Sequence, residues 1–131
     1  LGKSGQKIMM RKVIDMKRWI LLLMVFWPYW ASADTASMTA QIERTLNSNS
    51  DGWGGCMVKL NKGIRDETGL DCNSSWVTFS CSGEHAPKDQ AYKMYDTAQL
   101  AMVMGYDAIL HLDDQKKQSG FCLGWRIDVI K

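Results

Sequence analysis

Proline is scarce in this chain, with two in 131 residues, and neither sign of charge dominates, the formal net charge being +2. With 46% hydrophobic and 23% charged residues, intrinsic disorder is excluded as the dominant state. Only one long apolar run occurs, which excludes a polytopic membrane protein. The length excludes a multidomain enzyme. No internal repeat or low-complexity segment appears, and the four cysteines include no closely spaced pair. What remains is a short chain whose first quarter differs in character from the rest.

That first quarter carries Met16-Lys17-Arg18, an uninterrupted apolar run over residues 19–27, the helix-breaking Pro28, and Ala31-Ser32-Ala33 ahead of Asp34. Cations, a short apolar core and small residues two apart are the layout of a secretory signal peptide, with cleavage expected after Ala33. A retained membrane anchor is the alternative, but a spanning helix needs about 20 apolar residues and Pro28 interrupts the run too early. Initiation is open among Met9, Met10 and Met16. Residues 1–33 are therefore expected to be an upstream extension plus signal peptide, and 34–131 the folded domain, periplasmic or secreted from a bacterial cell. With the leader removed, no membrane association is expected.

Six of the 16 Lys+Arg and one of the 14 Asp+Glu lie in residues 1–33, so residues 34–131 carry 10 bases, 13 acids and a net charge of −3. A mildly acidic domain without a basic cluster is a poor nucleic-acid binder, because phosphate neutralisation supplies most of that affinity. Cys56, Cys72, Cys81 and Cys122 all fall in the domain. An even count behind an export signal predicts two disulfides. Structural zinc would want cysteines two to four residues apart, and the intervals here are 15, 8 and 40 residues.

Hydrophobic periodicity predicts strands over residues 35–46, 56–60, 76–81, 106–112 and 121–131, and a helix starting at Pro87-Lys88-Asp89 and capped by Gly105. Cys56, Val58 and Leu60 share one face of the second strand; Val77, Phe79 and Cys81 share one face of the third. Ala91, Tyr95, Ala98 and Met102 form the helix stripe. Residues 61–71 and 113–120 read as loop and charged turn. In the last strand Phe121, Leu123, Trp125, Ile127 and Val129 alternate with Cys122, Gly124, Arg126 and Asp128, which places Trp125 in the core.

Three strands, a helix and two strands is the element order of the five-stranded OB-fold barrel, with the helix between strands three and four. In that topology strands two and three form a hairpin, which brings Cys56 to Cys81 on the inner face. Strands three and five run parallel, which brings Cys72 to Cys122, expected on the outer face.

Chemistry is sparse. His85, beside Glu84, and His111 supply parts of an acid–base hydrolase, and His111, Asp113 and Ser119 the letters of a triad, but no nucleophile elbow accompanies them. Asp113-Asp114 has no EF-hand spacing, and Asn73-Ser74-Ser75 is a formal sequon only. No cofactor or metal is implied. Trp53, in a glycine-rich loop, and Trp76, on the face opposite Val77 and Phe79, fall where OB barrels carry their ligand platform, and are the candidate ligand-binding residues.

Cys56-Met57-Val58, Ser75-Trp76-Val77-Thr78-Phe79-Ser80-Cys81, the helix end Ala101-Met102-Val103-Met104-Gly105, Gly120-Phe121-Cys122 and Arg126-Ile127-Asp128 together give a layout, over residues 54–131, that resembles small exported bacterial proteins similar to the B subunits of subtilase-cytotoxin-type toxins. The resemblance implies an OB-like barrel that assembles as a ring and binds glycans. The expectation is a non-enzymatic, exported binding module for a glycan or a protein surface, able to form a homo-oligomer. A structural or regulatory envelope protein, such as an inhibitor of another exported protein, is the alternative, and a small histidine-dependent hydrolase the remote one.

Overall fold

The computed structural model describes residues 34–131. The expected leader, its cleavage point and the candidate start methionines lie outside the described residues.

The chain forms β1 (Thr35–Ala40), β2 (Ile42–Asn47), a single 3-10 turn (Asp51–Trp53), β3 (Cys56–Leu60), α1 (Ile64–Thr68), β4 (Trp76–Thr78), α2 (Lys88–Met104), β5 (Asp107–Gln118) and β6 (Phe121–Ile130). The fold is mainly β with one long helix and two disulfides, as expected. It differs in strand number and closure: the sheet has six strands in the order β1-β5-β6-β4-β3-β2 and is not closed into a barrel. The expected first strand, residues 35–46, is broken at Gln41. There the Asn61 side chain accepts from the Gln41 N–H at 2.9 Å, and the Asn61 N–H donates to the Gln41 carbonyl at 3.0 Å. The two halves part to opposite edges of the sheet, β1 pairing with β5 and β2 with β3. The alternation survives the break, since Met38, Ala40 and Ile42 all enter the core.

Neighbouring strands are antiparallel except β4 and β6, which run parallel with Thr78 opposite Leu123. The inner face of the sheet packs against α2 through Ala91, Tyr95, Ala98 and Ala101. Gly105 closes the helix in the left-handed region at φ 68°, a conformation that costs glycine least. Exposed Tyr92, Leu100, Val103 and Met104 lie on the helix face away from the sheet.

Three other local expectations change. The polar stretch 61–71 contains the short helix α1, which buries Ile64, with Leu70 following it into the core. The third strand is shorter than expected because Ser80 adopts φ 61°, yet Phe79 and Cys81 still face inward. Residues 113–120 are not a turn: β5 continues to Gln118, and only Ser119 and Gly120 reverse the chain, both with positive φ (53° and 82°), as a tight two-residue hairpin requires.

The largest correction concerns β6. His111 pairs with Arg126 but Leu112 pairs with Gly124, so Trp125 is an extra residue with no partner in β5. This bulge inverts the alternation at mid-strand. Ahead of it Cys122 and Gly124 face inward; beyond it Ile127 and Val129 do. Trp125 is therefore outside the core, 48% exposed, and Phe121 and Leu123 are also displaced from the core cluster.

Both expected disulfides form, Cys56–Cys81 and Cys72–Cys122, with Cα separations of 5.5 and 5.4 Å. The second is buried in the core rather than on the outer face, because the inverted alternation turns Cys122 inward. Gly124 is needed where β6 runs beside β4: a Cβ there would lie 2.9 Å from both Phe79 and Val77 side chains.

Candidate binding face

Trp53 and Trp76 are brought together. Trp53 ends the 3-10 turn, which is followed by Gly54 in the left-handed region at φ 91°, a position where a side chain would collide with Thr78 and Gln118. Trp76 opens β4, and the Arg44 guanidinium lies 5.8 Å from its ring centre, within cation–π range. Both indoles are half-buried. With Leu46 of β2, Met57 of β3 and Phe121 of β6 they line one pocket of about 180 Å³. Leu46 and Met57 are register partners across the β2–β3 ladder. Met57 and Leu123, both buried, stand outside the main core cluster and form the apolar layer on this outer face.

The β5–β6 turn holds the pocket's fifth wall in place. The Ser119 hydroxyl donates to the Gly52 carbonyl in the turn that carries Trp53. The Asn73 N–H donates to the Gly120 carbonyl at 3.0 Å, and its side-chain amide to the Ser119 carbonyl at 3.2 Å. Asn73 thus serves the fold, and Phe121 follows directly from a hairpin tip pinned between the segments leading to the two tryptophans. Sequence reasoning missed Leu46, Met57 and Phe121 as lining residues. The available signal was Met57, a large apolar residue at an outward position of β3. The Trp53 indole N–H is buried and has no acceptor among the described residues, a condition that costs on the order of 1–3 kcal/mol until an acceptor arrives.

The two histidines go to different neighbourhoods. His85 Nε2 lies 3.2 Å from the Lys117 carbonyl at the far end of β5, with Glu84 at 3.7 Å, and its backbone N–H donates to Ser80 Oγ. His111 sits mid-strand against Asp128, 3.1 Å away. Asp113 accepts from the Gln115 N–H, Ser119 donates to the Gly52 carbonyl, and the carboxylate on His111 is that of Asp128, so the side-chain bonds of a His111–Asp113–Ser119 triad are not formed. Asp114, buried, accepts from the Asp71 N–H at 3.3 Å and the Gln115 amide at 3.2 Å. Asp71 lies below the usual carboxylate range because it accepts a hydrogen bond from Lys117, whose charge adds to the effect, with Arg65 assisting. Among the described residues no three His, Cys, Asp or Glu side chains converge as a metal site, and no helix is long and apolar enough to cross a membrane.

No protein-family model, curated protein or solved structure matches the chain.

Proposed function

We propose that this protein is an exported, non-enzymatic binding module whose Trp53–Trp76 pocket takes an apolar side chain from a protein partner. One observation carries the proposal: two tryptophans, Leu46, Met57 and Phe121, drawn from four strands and a turn, converge on a single opening on the outer face. An aromatic-lined pocket of this kind is how interfaces seat an anchor residue. Its walls offer no ring of donors and acceptors for a sugar, which favours the protein surface over the glycan as occupant here. Arg44, exposed at the rim beside Trp76, forms no ion pair among the described residues and suits an acidic residue next to the anchor. Export and cleavage after Ala33 belong to the same proposal; two disulfides suit an oxidising compartment. A regulatory or inhibitory envelope role fits this mode of binding, and kinship with the toxin B subunits would add ring assembly.

Panning a displayed random-peptide library against the purified protein tests the proposal. Enriched peptides should share an aliphatic or aromatic anchor flanked by acid, and lose at least about tenfold in affinity to Trp76→Ala. Failure to enrich any anchor motif, or undiminished binding to that variant, would contradict it.

A further inference from the structure

The strand register sets what lies beside the Trp53–Trp76 pocket. On the outer face Leu46 pairs with Met57 and Met57 with Thr78; one rung along, Arg44 pairs with Lys59 and Lys59 with Trp76. Past that rung the same three strands lead into a second, polar cleft of about 340 Å³, lined by Glu43 of β2, Lys59 of β3, Lys62, and Ser74 and Ser75 ahead of β4. Pocket and cleft are consecutive along the strand axis, separated by one rung across which the Arg44 guanidinium reaches the Trp76 ring. Residues 34–131 carry a net charge of −3, yet this strip holds three cations, Arg44, Lys59 and Lys62, against one acid, Glu43. Arg65 and Asp66, in the next pocket along, add one charge of each sign. Glu43 pairs with Lys59 at 3.3 Å. Lys62 donates to the neutral Thr39 carbonyl at 3.1 Å and Arg44 forms no ion pair, so both charges are uncompensated among the described residues.

We propose that the pocket and the cleft form one docking track for an extended, acidic segment of the partner protein. The inference rests on the pocket reading above and adds the sequence class of the partner. The apolar anchor fills the Trp53–Trp76 pocket and an acid beside it reaches Arg44. Lys62 lies beyond the rung and takes a further acid two to four residues from the anchor. That spacing follows from the ladder: successive outward rungs are about 7 Å apart, and an extended chain covers that distance in about two residues. A cationic segment is repelled by Arg44 and Lys62. A wholly apolar one strips water from the Ser74 and Ser75 hydroxyls without replacing its hydrogen bonds. These charges are exposed, so each adds little affinity and acts mainly on register and association rate.

Peptides built on one selected anchor, with a single Asp walked along the flank, test the inference by fluorescence titration at low and high salt. Affinity should peak with Asp two to four residues from the anchor on one side, and salt should reduce that preference. Lys62→Glu should weaken the best peptide at least about threefold, and replacing its Asp by Lys should restore binding to that variant. Arg44→Gln should weaken it similarly, while Lys116→Glu, the same charge change at an exposed position of β5, should not. Trp76-dependent binding that ignores Asp position, salt and Lys62→Glu would overturn the track and leave the pocket standing. An equal loss at Lys116→Glu would reduce the effect to net charge and overturn it as well. If no peptide binds in a Trp76-dependent way, both readings fall together.

Discussion

The outer face of this sheet carries tryptophan at two places, and the two are built oppositely. At Trp53 and Trp76 the indoles lean on Leu46, Met57 and Phe121, and a pinned hairpin tip covers one side. At Trp125 the indole is half-exposed and lies against the His111 imidazole, whose Nε2 faces the Asp128 carboxylate. The first cluster stabilises the fold as it forms a pocket; the second contributes little to the fold. The inserted residue in β6 is what leaves Trp125 exposed.

The comparison can be broken at several levels. Opening both disulfides should abolish it entirely: Cys72→Ala with Cys122→Ala is expected to cost roughly 4 kcal/mol, and Cys56→Ala with Cys81→Ala roughly 3.5 kcal/mol, from the loops of 50 and 25 residues they close. Urea denaturation of oxidised protein measures both. Met57→Ala should cost about 2–4 kcal/mol, because it removes a buried side chain from the apolar layer. Gly124→Ala, which drives a methyl into Phe79 and Val77, should cost about 1–3 kcal/mol. Trp125→Ala, in contrast, should stay within about 0.5 kcal/mol of the parent, since a half-exposed side chain leaves no cavity. A loss at Trp125 as large as that at Met57, measured by thermal or urea unfolding, would erase the distinction between the two places.

The smallest expected effect is on pH. Asp128 is held below the ordinary carboxylate value of 3.8, first by its hydrogen bond from Arg126 and then by His111. A carboxylate with a depressed folded-state pKa contributes stability that is present above the unfolded value and is lost as pH falls through the folded one. The Arg126–His111–Asp128 arrangement should therefore loosen below about pH 4, and Asp128→Asn should flatten that part of the stability profile. Solvent exposure of the group keeps the change small. An identical acid limb in parent and variant would remove Asp128 as its source.

The disulfide pairing, the position of the helix and the inward faces of β3 and β5 were readable in the sequence. The helix and the inward faces rest on local rules, a glycine cap and alternation. The pairing rests instead on the expected element order, whose β3–β4 hairpin and parallel β4–β6 neighbours are retained although the sheet does not close and Cys122 faces inward. The break at Gln41 was not readable because its cause is a side chain 20 residues away, Asn61, taking the place of a ladder partner. Trp53 and Trp76 were legible as candidates from loop position and strand parity, but their shared pocket depends on Phe121, which strict alternation placed in the core. Phe121, Leu123 and Trp125 look like a perfect inward series followed by Ile127 and Val129. Only the pairing with β5 reveals that one residue is extra, so that the same odd-numbered positions face opposite ways on either side of it. The period carries no mark of the bulge; the one local signal is Gly124, a glycine inside the strand pattern next to the extra residue.

One ligand acting on one spectrum puts the central claim to its most direct test. With indole N–H signals assigned, an anchor peptide from the library selection should move Trp53 and Trp76 and leave Trp125 unchanged. Trp125→Ala should leave the affinity for that peptide unchanged, whereas Trp76→Ala should lower it at least about tenfold. If the peptide also moves the Trp125 signal, or if Trp125→Ala weakens it as much as Trp76→Ala does, the two places act as one surface and the division described above is wrong.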